Sequence, residues 1–299
     1  MTKMRSPSLH RAVWRAVALL AMIGTGCGKV SGSGAVADAA SVEDAPAIED
    51  ATREVLTDGP PSDAPSGSKD NPARTCAELR AAGMPSGVYW LLDPATPGTA
   101  FAVYCEQELN GGGWVLMENS VRRADGKTTA FWQFKYADRF KEMGALAVDQ
   151  NYYNGALYVI GREYMDVIVD LQGKTQIAAV MAATGINTTT MRFTSPSLTV
   201  GNQDVYEGEF ASGWSAQDFD GDDTPTASAN CATIYNNIAQ HYHNCWAYSL
   251  GSDGPDTADK LDGGVGPHVH NPVLTALQLS IESTGNYSQV KRIARFTRW

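Results

Sequence analysis

The chain has 299 residues, enough for one or two domains with an ample core. Hydrophobic residues at 43% and charged residues at 19% describe a globular protein rather than a disordered one. The formal charge of −10 excludes a generally basic nucleic-acid binder, which needs a clustered excess of Lys and Arg.

That charge is unevenly spread. Lys3, Arg5, Arg11 and Arg15 make residues 1–27 strongly basic, and a short apolar run from Ala16 to Thr25 follows. As a helix this run would rise about 15 Å, half of a bilayer core, so it reads as the apolar part of a signal peptide and not as a membrane span. Gly24-Thr25-Gly26-Cys27 resembles a bacterial lipobox, which implies a lipid on Cys27. The expected location is the bacterial cell envelope, at the outer membrane, or the exterior. Residues 28–70 are rich in Ala, Gly, Ser, Pro and Asp and hold nine acids against three bases. Such a segment buries too little apolar area to offset its ordering entropy and reads as a disordered acidic tether. The folded domain is expected over 71–299.

Asn71-Pro72 can open a helix, and Thr75-Cys76-Ala77-Glu78 has the form of a capping box. A short helix near 75–82 is therefore predicted, with Gly83 at its left-handed end. Val88–Leu92, Phe101–Cys105 and Trp114–Met117 read as strands, the first two joined by a turn at Pro97-Gly98. Phe131–Met143 has helical spacing up to Gly144, and Ala156–Ile160, Asp166–Asp170 and Ile177–Met181 read as strands. From 200 to 270 periodicity fades, yet Trp214, Phe219, Tyr235, Tyr242, Trp246 and Tyr248 persist. A long irregular region this aromatic reads as an ordered functional loop system.

Within the domain lie Cys76, Cys105, Cys231 and Cys245, which allow three connectivities. Pairing nearest neighbours gives Cys76–Cys105 and Cys231–Cys245.

The residues at both ends of the domain resemble the fibrinogen C-terminal-like family. They are Cys76-Ala-Glu-Leu, Ser86-Gly-Val-Tyr89, and Val103-Tyr-Cys-Glu106 followed after four residues by Gly111-Gly-Gly-Trp114. Asp218-Phe-Asp-Gly-Asp222, Asn230-Cys-Ala232 and Tyr242-His-Asn-Cys245 look like the same family's calcium loop and second disulfide. The resemblance implies an α+β fold. A small disulfide-linked N-terminal subdomain precedes a central twisted antiparallel sheet, and an irregular calcium-binding subdomain closes the chain.

Asp218, Asp220 and Asp222 alternate, with Asp223 beside them. Four carboxylates in six residues repel unless a cation sits among them, and hard oxygen ligands suit calcium. The loop is not an EF-hand, because Asp223 stands at the sixth position and Ala229 at the twelfth. The resemblance implies ligation by Asp220 and Asp222, with Asp218 alongside and backbone carbonyls near Thr224 and Thr226.

Fibrinogen-like lectins such as ficolins and tachylectins bind acetyl groups of sugars beside the second disulfide, in a pocket lined by aromatics. By that resemblance the ligand-binding candidates are Tyr235, His241, Tyr242, His243, Asn244, Trp246 and Tyr248. Gln240 and His241 stand where the family carries two tryptophans, and a cis peptide before Cys245 is implied. The pairs His241/His243 and His268/His270 could chelate a metal from an extended chain. Gly266-Pro-His-Val-His270 is also similar to a segment of intelectins, and Asp253, Asp256, Asp259 and Asp262 could supply a second calcium site.

The sequence carries no Gly-x-Ser-x-Gly, no His-Glu-x-x-His, no phosphate-binding loop and no dinucleotide fingerprint. The expectation is a non-catalytic, calcium-dependent carbohydrate-binding module on a lipid-anchored protein. Its partner would be a glycan or acetylated sugar. The alternative is a protein-adhesion module on the same loop surface, with a surface protein as partner.

Overall fold

The computed structural model describes residues 66–123, 127–201, 213–222, 230–242, 247–251, 266–282 and 285–299. All of them belong to one compact unit, Thr57–Trp299. Cys27, the leader and the tether to residue 65 lie outside the described residues.

The first helix, α1 (Cys76–Ala81), starts where its cap dictates. Thr75 Oγ1 accepts the Glu78 amide at 3.1 Å, while the Glu78 carboxylate takes the Arg74 amide at 2.8 Å, one residue earlier than a reciprocal box would place it. Gly83 closes the helix at φ +76°. Asn71-Pro72 does not open a helix. It precedes an extended residue, Ala73, that bridges to Leu91.

Strands β1 (Gly87–Leu92) and β2 (Ala100–Glu106) form a hairpin in which Gly87 faces Cys105. The Cys76–Cys105 disulfide ties α1 to β2, with its Cα atoms 5.5 Å apart. Gly112 and Gly113 then swing the chain into β3 (Trp114–Val121) at φ +68° and +79°. A Cβ on Gly112 would lie 2.2 Å from the Gln107 carbonyl oxygen, so only glycine fits this turn.

The segment 127–160 departs from the sequence reading. One long helix over Phe131–Met143 is replaced by α2 (Lys127–Trp132), a 3₁₀ turn at Tyr136–Asp138 and β4 (Glu142–Gly144). Lys135 is extended at φ −87°, ψ 159°, which breaks any continuous helix. Trp132 and Phe134 pack inward on Tyr153, with ring centroids 6.0 and 4.8 Å away. The apolar spacing serves a chain that changes direction, not one helix face. After β5 (Tyr152–Asn154), the strand read at Ala156–Ile160 is a helical turn, α3 (Leu157–Ile160), which buries Leu157 and Tyr158. A short apolar run fits either form, and here the tertiary contacts decide.

β6 (Glu163–Val169) and β7 (Thr175–Ala182) follow, then the small pair β8 (Gly185–Ile186) and β9 (Phe193–Thr194), and β10 (Ser197–Gly201). β11 (Trp214–Ser215) pairs with β12 (Gln240–His241), with α4 (Cys231–Ile234) between them in sequence. β13 (Tyr248–Ser249), β14 (His268–His270) and β15 (Tyr287–Gln289) make a three-stranded sheet, with α5 (Asn271–Ala276) after β14.

The last strand, β16 (Arg292–Arg298), enters the middle of the main antiparallel sheet. The order is β1-β2-β3-β16-β6-β7-β10, with β5 sharing the β2 edge of β3 and β4 pairing with β5. Every residue of β3 is buried, so both faces of the sheet are covered. Val115 and Met117 join the main core, while Trp114 and Leu116 pack with Met165 and Phe296 on the opposite face. This is the α+β architecture implied by the sequence.

Candidate functional site

The loop from Trp214 to Asp222 is held by short polar side chains. Ser215 Oγ accepts the amides of Gly221 and Asp222, both at 3.0 Å, and donates to Asp222 Oδ2 at 3.2 Å. The same Asp222 oxygen accepts the Cys231 amide at 3.0 Å. Asn230 clips the loop from the other side: its Nδ2 donates to the carbonyls of Ala216 (2.8 Å) and Phe219 (3.2 Å), and its Oδ1 caps α4 through the Ala232 amide. Gly213 passes so close to Gly221 that a Cβ on it would lie 1.5 Å from the Gly221 oxygen.

The acidic residues of this loop divide. Asp218 Oδ1 accepts the Tyr136 amide at 2.9 Å, and the Tyr136 ring stacks on Phe219 at 3.9 Å. One Asp218 oxygen therefore braces the preceding subdomain. Asp220 is exposed and stands beside Asp222. Partial burial and the neighbouring Asp222 charge hold its carboxyl above the ordinary value. Asp223, Thr224 and Thr226 lie outside the described residues. Among the described residues, no three His, Cys, Asp or Glu side chains converge as a metal site.

Cys231 is fully buried and disulfide-bonded. Its expected partner Cys245 lies outside the described residues, as do His243, Asn244 with the peptide bond that follows it, Trp246, and Asp253, Asp256, Asp259 and Asp262. Around Cys231 pack Ala232 and Tyr242, with the partly exposed Tyr235 and Tyr287 against them. The Tyr242 hydroxyl donates to the Ile238 carbonyl at 2.7 Å, and the side chain is fully buried. Tyr242 is thus a wall behind the disulfide. The His270 ring, half-buried, tilts onto Tyr287 at 5.0 Å. Burial lowers the His270 pKa. His268 is fully buried, with Nδ1 3.4 Å from the Gly251 oxygen.

His241 and Tyr248 are not at this surface. Both belong to a buried polar cluster around Arg295 of β16. The Arg295 guanidinium makes a bidentate pair with Asp166 (2.7 and 2.8 Å). It also donates to the Tyr158 and Tyr248 hydroxyls (2.7 and 2.8 Å) and lies 3.6 Å from Glu118. Tyr158 in turn donates to Glu118 at 2.6 Å. Burial opposes the Arg295 charge, but Asp166, Tyr158, Tyr248 and Glu118 together hold its pKa above the ordinary value. For Glu118 burial prevails over Arg295 and raises the carboxyl.

His241 Nδ1 faces Arg295 Nη1 at 3.3 Å, and Nε2 faces the Met191 carbonyl at 2.8 Å. Nδ1 therefore accepts and Nε2 carries the proton. Burial first, and the Arg295 charge second, push its pKa down to about 3. With both nitrogens engaged, His241 is a structural imidazole and has no nitrogen left to chelate a metal with His243.

Two β-bulges build this cluster. Arg295 pairs with Glu118 while Phe296 pairs with Leu116, so Met117 is an extra residue that turns Glu118 to the Arg295 side. In β6–β7 the extra residue is Ala178, next to the Asp166–Ala179 pair.

The family described as "Fibrinogen beta and gamma chains, C-terminal globular domain" matches residues 72–265. The chain belongs to this family. Among solved structures it is similar to the fibrinogen-like globe domain of human ANGPTL6, with 23% identity and a TM-score of 0.51 over 76% of this chain and 96% of that one. The fibrinogen-like globe domain of human ANGPTL2 gives 16% identity and the same TM-score over 76% and 99%. At these identities the likeness is one of fold. No curated protein sequence matches the chain. Fibrinogen-like domains commonly mediate protein or carbohydrate binding and are generally non-catalytic.

Proposed function

We propose that this fibrinogen-like domain is a calcium-dependent, lectin-like carbohydrate-binding module. It would be presented at the bacterial cell envelope by a lipid on Cys27. The observation that carries the reading is the Asp220–Asp222 pair, in which the Asp222 carboxylate adds to burial in making the Asp220 charge costly. Such a pair fits a hard divalent cation, which would offset that repulsion with oxygen ligands. Asp220 and Asp222 would hold the ion, with backbone carbonyls near Thr224 and Thr226.

Calcium would supply charge neutralisation and loop order, while the chain's own residues form the surface. Asp222 accepts the Cys231 amide, so the acidic loop is tied directly to the helix that presents Tyr235. Tyr235 and Tyr287, both partly exposed, offer apolar faces with polar tips, the combination a sugar ring needs. His243, Asn244 and Trp246 complete the proposed ligand set. His241, Tyr242 and Tyr248 stand behind it as framework.

The inward placement of those three residues also favours a second reading, protein adhesion by the same loops. Glycan-array binding of the full chain, with and without a chelator, separates the two. Chelator-sensitive sugar binding supports the lectin. No binding to any glycan in calcium refutes it, and specific capture of one surface protein then favours adhesion.

A further inference from the structure

We propose a second binding site, lined by residues 93–160 and separate from the acidic loop, for a small protonated amine with an apolar body. A cavity of about 490 Å³ opens between Asp93 and Ala95 after β1, Phe101 of β2, Phe140, Glu142 of β4, Asn154 of β5 and α3. It shares no lining residue with the calcium loop or the Tyr235 surface. Its volume lies within the range of small-molecule pockets, roughly 300–1,000 Å³.

The walls are apolar: Phe101, Phe140, Leu157 and Ile160 line them. The charged groups among the lining residues are Asp93 and Glu142, and no Lys, Arg or His is among them. Arg139, not itself a lining residue, lies with its guanidinium over the Phe140 ring at 4.5 Å and donates to the carbonyls of Tyr136 and Thr188 at 3.1 and 3.2 Å. Asp93 is fixed at the rim, where Oδ1 accepts the Ala95 amide at 2.8 Å.

Asn154 identifies the kind of ligand. It is 6% exposed, and its Oδ1 is buried without a hydrogen-bond partner. The amide orientation follows from its neighbours. Tyr152 gives its one hydroxyl proton to Glu142 Oε1 at 3.1 Å, so the hydroxyl can meet Asn154 only as an acceptor. Asn154 Nδ2 accordingly donates to it at 3.4 Å, which leaves Oδ1 over. A buried acceptor without a donor is destabilising, and the soft terminal torsion of an asparagine lets it turn toward one. An ammonium carries three donors and a charge. It can pair with Glu142 at the cavity wall, and with Asn154 once that amide turns its buried Oδ1 toward the cavity, while its apolar body fills the space between the phenylalanines.

The test is titration of the full chain with phenethylammonium by calorimetry, against 2-phenylethanol, which has the same shape without the charge. Saturable binding of the amine roughly tenfold tighter than the alcohol is expected, since a charge-assisted bond is stronger than a neutral one. Glu142→Gln should weaken the amine several-fold and leave the alcohol nearly unchanged, whereas Asn154→Leu, which removes an acceptor that both ligands can use, should weaken both. No saturable binding, equal binding of amine and alcohol, or an amine affinity indifferent to Glu142→Gln would overturn the proposal. That last result would assign the amine to acidic residues elsewhere in the chain. Glu142 is exposed, so this variant decides the question even where Asn154→Leu fails to fold.

Discussion

The buried imidazole of His241 makes the domain acid-sensitive in a calculable way. In the folded state burial and Arg295 hold its pKa at about 3, whereas an unfolded chain takes up the proton near pH 6.5. The folded pKa is depressed, so the neutral ring contributes stability above pH 6.5. That contribution is lost as the pH falls from 6.5 toward 3. At pH 5 the loss amounts to about 2 kcal/mol. For a domain of this size that corresponds to a fall in Tm of about 4–8 °C. His241→Gln keeps an N–H donor for the Met191 carbonyl and removes the titration. Melting curves of both proteins at pH 7.5 and pH 5.0 provide the assay. The wild type should lose about 4–8 °C more than the variant over that interval. An equal loss in both would refute the assignment of His241 as a buried neutral group.

Other outcomes follow from the same geometry. Arg295→Met strands the Asp166 carboxylate in the core and should cost about 3–5 kcal/mol in thermal or urea unfolding. Adding Asp166→Leu should restore much of that loss; a double variant as unstable as the single would show that packing, not charge, was lost. Asp220→Ala should lower the Tm in calcium and leave it unchanged in chelator, and an equal drop in both conditions would remove calcium from the account. Cys27→Ser should abolish incorporation of labelled palmitate, and undiminished labelling would place any lipid elsewhere.

The parts of this fold that were legible in the sequence are those set by local chemistry. Thr75 and Glu78 announce α1, Gly112 and Gly113 announce the turn into β3, and the cysteine spacing fits the observed Cys76–Cys105 bridge. The helix read at Phe131–Met143 failed because aromatic spacing cannot distinguish one helix face from a chain that turns between two packing surfaces. His241, Tyr242 and Tyr248 are ligand-binding candidates by the resemblance around Cys245, and the structure buries all three, because burial is a tertiary property. The Arg295 cluster was missed outright. A signal was present in β16, where Arg295 falls between Ile293 and Thr297 on a strand that otherwise alternates normally. Its partner Glu118 was hidden, because the bulge at Met117 that turns it inward leaves no mark in the alternation of β3. Ser215 and Asn230, which hold the acidic loop, are common loop residues whose roles appear only with the contacts.

The position of β16 has a consequence for how the chain reaches this state. β1–β3 come from residues 87–121 and β6, β7 and β10 from residues 163–201, and in the order of the main sheet these two halves meet only through residues 292–298. A growing chain can complete neither the ladder nor the Arg295–Asp166 pair until that final segment arrives. Formation of the sheet is therefore a late, non-local event with a high loop-closure cost. The last strand acts as a completeness check: a product truncated before Arg292 leaves two strand edges exposed at the centre of the molecule and gives protease an unfolded target.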